Sequence, residues 1–193
     1  MITKQDWVQY FPYTNCRESQ ESAINNALNS FITQGKRFVV LEAATGTGKS
    51  AIGVTIARYM SEHFKNAAGD YKPGAYFLTT QKLLQEQYMK DFGGFDGTMS
   101  QIMSATNYQC KHHKKQNCAE SMQQLKAETD TTSKFYRTCK FNCTYKNEKT
   151  RFTNSLESLT NFSYFLTSSA YTEGISPRNL LVIDEAHNAD GEL

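Results

Sequence analysis

Two short stretches of this chain carry side chains suited to phosphate chemistry. The first is Ala43-Ala44-Thr45-Gly46-Thr47-Gly48-Lys49-Ser50. It fits a phosphate-binding loop in relaxed form, with Ala43 where the strict pattern has glycine and Gly48-Lys49-Ser50 after four residues. Small residues at Ala44, Thr45, Gly46, Thr47 and Gly48 let backbone N–H groups converge on phosphates at a helix N-terminus. Lys49 then reaches the β- and γ-phosphates, and the Ser50 hydroxyl ligates Mg²⁺. The second stretch is Asp184-Glu185-Ala186-His187. Asp184 suits Mg²⁺, and Glu185 suits orienting or deprotonating an attacking water. In this order the two stretches read as the halves of an ATP site.

A second constellation is Cys110, Cys118, Cys139 and Cys143, with seven, twenty and three residues between successive members. Four clustered cysteines in a chain without a secretory signal point to a thiolate site rather than to disulfides. Two products fit: a structural Zn²⁺ or a [4Fe–4S] cluster. Only Cys139 and Cys143 have the short spacing of a zinc knuckle, and the seven-residue gap argues mildly against zinc. His112 and His113 are competing ligands on paper but read as solvated neighbours. The bland alternative is four unrelated thiols; Cys16 stands apart and reads as a packed one.

The stretch from Cys110 to Arg151 holds ten Lys/Arg against four Asp/Glu, a balance of +6 inside a chain of net charge +2. The remainder, eleven basic and fifteen acidic residues, carries −4. Lysines such as Lys114 and Lys115 alternate with Tyr108, Phe135, Tyr136, Phe141 and Tyr145. Cations hold phosphates and aromatic faces stack single-strand bases, so the segment suits nucleic acid. The alternative is a solvated basic loop whose aromatics cover a small metal core.

Elements must position these groups. The apolar run Phe38-Val39-Val40-Leu41 precedes the loop as a strand, and a helix follows it to about Phe64. Leu180-Leu181-Val182-Ile183 forms a strand that delivers Asp184 at its C-terminal end, where α/β sheets place ligands. Residues 17–31 read as an amphipathic helix with Ile24, Leu28 and Phe31 on one face. Residues 75–79 and 162–166 read as further strands, and 83–89 as a helix broken at Gly93-Gly94. An aromatic leader (Trp7, Tyr10, Phe11, Tyr13) packs ahead of them, and Pro177 marks the loop before the last strand. Alternating strands and helices predict an α/β fold with a parallel sheet. Its first part is residues 1–98, a cysteine-rich insertion is 99–152, and its second part is 153–193. At 193 residues and 39% hydrophobic content the chain can bury such a core. It has no run long enough to span a bilayer, and an intracellular, cytoplasmic location is expected.

The motifs resemble those of the XPD/DinG family of iron–sulfur superfamily 2 DNA helicases. Arg17-Glu18-Ser19-Gln20 resembles the family's adenine-contacting element, and Glu42 through Ser50 its motif I. Thr79-Thr80-Gln81 with Leu84-Gln85-Glu86-Gln87 is similar to motif Ia, which touches the DNA backbone. Asn107-Tyr108-Gln109-Cys110 resembles the start of the cluster-binding region, and Val182 through Asn188 resembles motif II. The resemblance implies a RecA-like P-loop domain, ATP and Mg²⁺ as cofactors, and a [4Fe–4S] cluster rather than zinc. It assigns Arg17 and Gln20 to nucleotide binding, Lys49, Asp184 and Glu185 to catalysis, and His187 to coupling with motif III. It further implies 5′–3′ translocation on single-stranded or fork DNA, and a second RecA-like domain completing the ATP site. In that fold the strand after motif II lies between the P-loop strand and the motif II strand. Without it, apolar edges are left unpaired. The chain thus reads as the N-terminal part of a helicase. Its rivals are a truncated nucleotide- or DNA-binding module without helicase activity and a zinc-bearing nuclease component, the latter lacking a second carboxylate cluster.

Overall fold

The computed structural model describes residues 1–64, 71–93, 98–171 and 174–187. In chain order, α1 (Lys4–Trp7) and α2 (Glu18–Leu28) precede α3 (Lys49–His63), β1 (Lys72–Thr79) and α4 (Lys82–Phe92). Next come β2 (Met99–Gln101), α5 (Cys118–Leu125), α6 (Lys134–Phe141) and α7 (Thr144–Asn154). The chain returns through β3 (Glu157–Asn161), α8 (Phe162–Tyr171) and β4 (Arg178–Ile183).

The four strands form one sheet in the order β2-β3-β1-β4, with every pairing parallel. The expected α/β class and parallel sheet are therefore present. β1 is central and buried from Gly74 to Thr79. Its register places Phe77 between Leu159 and Val182. Because side chains alternate along a strand, Ala75 and Phe77 face one core and Tyr76 the other. The first core joins Trp7, Ile24, Leu28, Ile52, Val54, Tyr88 and Phe92 under α2, α3 and α4. The second holds Tyr76, Ile102 and Phe152, with Tyr108, Tyr145, Tyr164 and Phe165 packed against it.

Three sequence expectations are corrected. Residues 38–41 are not a sheet strand; Phe38 is 83% exposed and Val40 93%. β4 is an edge strand of the sheet, and Leu181 and Ile183 are exposed on it. Residues 162–166 belong to helix α8; the strand is the preceding, more polar Glu157–Asn161. An aromatic run mimics a buried strand by composition, while Glu157 is buried because Arg58 of α3 grips its carboxylate through two nitrogens, at 2.5 and 3.2 Å. The α2 helix stops at Leu28 and continues as a wider turn over Asn29–Thr33. Met99–Gln101 pairs with β3 as the outer strand of the sheet.

Two cations at strand starts clamp the C-terminus of α7. Lys72 Nζ donates to the Thr153 carbonyl at 2.6 Å. Buried Arg178 donates to the carbonyls of Ala75, Leu156, Phe152 and Thr153 at 3.0–3.4 Å and lies 4.4 Å over the Tyr76 ring. Exposed helix-end carbonyls carry partial negative charge, which these cations satisfy. Gly74, at φ +113°, lets β1 pass this clamp, since a Cβ there would strike the Leu156 carbonyl. Arg178→Leu is expected to lower stability by about 2–3 kcal/mol, the worth of charged hydrogen bonds lost from buried carbonyls. Urea denaturation measures it, and the loss should exceed that of Lys72→Met.

Candidate ATP site and cysteine cavity

The phosphate loop starts at exposed Ala44, Thr45 and Gly46 and ends at Gly48, which sits at φ +80° immediately before α3. Within it the Thr47 hydroxyl donates to the Ala44 carbonyl at 2.8 Å. Arg17 and Gln20, from the start of α2, hold its backbone: Arg17 Nη1 reaches the Gly46 carbonyl at 3.1 Å and Gln20 Nε2 the Thr47 carbonyl at 3.0 Å. The Arg17 N–H donates to Gln20 Oε1 at 3.0 Å, so the Gln20 amide is engaged at both ends. A cavity of about 300 Å³ opens beside it, bordered by Ser19, Gln20, Asn26, Glu42, Thr47 and Ile52.

Lys49 Nζ lies across the loop, donating to the Ala43 carbonyl at 3.0 Å. Ser50, one residue into α3, donates through Oγ to Asp184 Oδ2 at 3.1 Å. The sequence thus places the two halves together although 134 residues separate Ser50 from Asp184. The hydroxyl and carboxylate are hard oxygen donors of the kind Mg²⁺ takes. The Glu185 backbone N–H donates to Asp184 Oδ1 at 2.9 Å, and Glu185 itself is at φ +52°. A non-glycine residue in the left-handed region stores strain of order 1–2 kcal/mol, a cost commonly found at functional turns. His187 Nδ1 lies 3.3 Å from Glu185 Oε2, mostly exposed; Asn188 lies outside the described residues.

Tyr88 was not singled out from the sequence. It is buried on α4, and its hydroxyl donates to Asp184 Oδ2 at 2.7 Å. Burial first, and then the Asp184 charge, push its pKa far above that of an ordinary phenol, so it remains a donor. The only sequence signal was a hydroxyl-bearing ring one turn before Phe92 on an apolar helix face.

The four cysteines are free, buried and line one cavity with Ser121, Met122 and Thr138. Cys110 sits on a loop pinned by its own N–H to the Gln116 carbonyl and by the Gln109–Asn117 bridge. Cys118 opens α5, where Asn117 and Glu120 cap each other reciprocally. Cys139 comes from α6, and Cys143 immediately precedes α7. Cys118 and Cys143 sulfurs are 3.9 Å apart, near the roughly 3.8 Å that tetrahedral Zn–S bonds of about 2.3 Å impose. Yet among the described residues no three Cys, His, Asp or Glu side chains converge into a formed metal-ion site. Burial pushes the Cys118 and Cys139 thiols up to about 11. At Cys110 burial also acts upward, but hydrogen bonds from Ser121 and the backbones of His113 and His112 outweigh it and the pKa falls.

Of the aromatics expected to stack bases, Phe135 is buried beneath the His113 ring, and Tyr108 packs on Tyr145 with its hydroxyl accepting from Met103 N–H. Phe141, 75% exposed, is the uncovered one. Lysine and aromatic patterning does not distinguish a ring that roofs a cavity from one that faces water.

Gly46 and Gly48 share nearly the same φ but differ in surroundings. A Cβ at Gly46 meets open space, whereas one at Gly48 collides with Gln20 Nε2. Gly46→Ala should cost about 1–2 kcal/mol from backbone conformation. Gly48→Ala should cost more and weaken nucleotide binding at least about tenfold, since it displaces Gln20 from the loop and a 1.4 kcal/mol loss is a tenfold weakening. Thermal denaturation and calorimetric nucleotide titration of both variants check this.

No helix among the described residues is long and apolar enough to cross a membrane. No curated protein and no solved structure matches the chain. The family model described as type III restriction enzyme, res subunit, matches residues 13–192, nearly the whole sequence. A P-loop and an Asp-Glu-Ala-His turn joined across a parallel sheet are what such a domain requires, and the chain belongs to this family, as a superfamily 2 helicase-type ATP-binding domain with a RecA-like P-loop fold.

Proposed function

We propose that the chain is the ATP-binding half of a DNA helicase motor of the XPD/DinG kind, with a cysteine-rich insertion that carries a [4Fe–4S] cluster. The observation that carries the ATPase part is the Ser50–Asp184 contact, which supplies both protein oxygens for Mg²⁺ at one point. Lys49 binds the β- and γ-phosphates, Asp184 holds Mg²⁺ with Ser50, and Glu185 orients the attacking water. His187, paired with Glu185, relays the state of the site. Arg17 and Gln20 support the loop and border the adenine side.

A second RecA-like domain, in the same or another chain, completes the site with an arginine that stabilises charge on the γ-phosphate. ATP-driven closure of the two domains then moves a single strand in the 5′–3′ direction. Residues 1–193 alone are expected to bind nucleotide and turn it over slowly, by roughly 10³–10⁵ relative to a complete motor. DNA-stimulated turnover like that of a complete helicase, in a steady-state phosphate-release assay of this chain, would refute that division of labour. The alternative is a nucleotide- or DNA-binding module without its own helicase activity.

The cluster reading is supported by four buried free thiols around one cavity. Cys110, Cys118, Cys139 and Cys143 would hold it, and it would serve as a structural wedge where duplex becomes single strand. Anaerobically purified protein should contain stoichiometric iron and labile sulfide and absorb broadly in the visible. Cys139→Ser should lose both, and Cys16→Ser should keep both. Stoichiometric zinc without iron would overturn it.

Single-stranded DNA runs over the insertion and the N-terminus of α4. Binding should weaken with salt, with a log–log slope of roughly −2 to −3 for three or four phosphate contacts. Lys114 and Lys115 changed together to Ala should flatten the slope by about one unit. Phe141→Ala should weaken binding by about 1–3 kcal/mol without changing the slope. Oligonucleotide titrations at several salt concentrations decide, and affinity indifferent to salt and to all these changes would remove DNA from this surface.

A further inference from the structure

We infer that Tyr88 is a positioning residue for the Mg²⁺ ligand Asp184, tying helix α4 to the metal side of the ATP site. This rests on the ATP-site reading above. Asp184 Oδ2 accepts two hydroxyl donors, Ser50 at 3.1 Å from α3 and Tyr88 at 2.7 Å from α4, while Oδ1 accepts the Glu185 N–H at 2.9 Å. When Ser50 turns its oxygen to a cation, its hydrogen bond to the carboxylate no longer fixes Oδ2. Tyr88, which comes from a different element, then keeps that oxygen aimed.

Its ring is held independently of the hydroxyl. Phe77 lies 5.9 Å away on β1 and Phe92 5.5 Å away on α4, both buried. Tyr88→Phe therefore removes the donor and leaves the packing.

The experiment compares wild type with Tyr88→Phe, using a fluorescent ATP analogue with and without EDTA, titrating Mg²⁺, and recording thermal denaturation of each nucleotide-free protein. Nucleotide affinity in EDTA should agree within about twofold, because the Tyr88 hydroxyl meets the site only through the metal-side groups Asp184 and Ser50. The Mg²⁺ concentration giving half the metal-dependent gain in affinity should rise roughly tenfold, as expected for losing a hydrogen bond to a charged group. An unchanged Mg²⁺ midpoint overturns the inference. So does an equal loss of affinity with and without Mg²⁺ together with a lowered melting temperature, which would make Tyr88 a packing residue only. Wild type that binds nucleotide and gains nothing from Mg²⁺ overturns it while leaving the phosphate loop standing. Wild type that binds no nucleotide removes the ATP-site reading and this inference together.

Discussion

The carboxylate of Asp184 is the point at which the fold is tied. It stands at the C-terminal end of β4 and is held by a hydroxyl from α3, a hydroxyl from α4 and a backbone N–H of its own turn. Those donors satisfy both oxygens of a charge that burial would otherwise penalise. They also leave one geometry in which β4, α3 and α4 fit together. Glu185, whose N–H reaches Asp184 Oδ1, adopts φ +52° in the same turn. Strain at one residue is a small cost against three hydrogen bonds to an ionised group.

The phosphate loop is positioned in a different way. Its preceding residues, 38–41, make no ladder with the sheet, so strand pairing does not place the loop. Side chains of α2 do this instead, through Arg17 to the Gly46 carbonyl and Gln20 to the Thr47 carbonyl. The absence of a Cβ at Gly48 makes the Gln20 contact possible. A short Arg-x-x-Gln sequence therefore does structural work on the loop regardless of which base it faces. It also explains why the buried Gln20 is tolerated: its amide is satisfied at both ends.

Local chemistry was legible in the sequence, and packing partners were not. The loop, the Asp-Glu-Ala-His turn and the gathering of four cysteines could be read because each depends on spacing and residue type. The strand at residues 157–161 was missed because Glu157 and Ser158 look exposed until Arg58 and the Phe152 carbonyl take up their polar groups. Residues 162–166 looked like a strand because aromatic content alone does not separate a buried strand from a buried helix. Tyr88 and Arg178 escaped notice for a related reason. Their partners, Asp184 and the end of α7, lie far away in sequence, and no local pattern carries that information.

The two cores show how the cysteine-rich segment and the phosphate loop share one scaffold. α7 begins at Cys143, beside the thiol-lined cavity, and ends in the grip of Lys72 and Arg178, the first residues of β1 and β4. β4 then runs six residues to Asp184. A helix and a strand, joined end to end by charged hydrogen bonds, thus run from the cysteine cavity to Asp184. The Tyr145–Tyr164 hydroxyl pair, 3.1 Å apart, adds a second tie between α7 and α8. On the opposite face, Lys82 of α4 reaches the Asn107 side chain at 2.6 Å, just before Tyr108 and Cys110. α7 and α4 thus each touch the cysteine-bearing segment at one end, while Arg178 ties α7 to β4 and Tyr88 ties α4 to Asp184. The cysteine cavity and the Ser50–Asp184 contact therefore rest on the same packed sheet, whose close-packed interior makes a change of volume at either one felt by the elements between them.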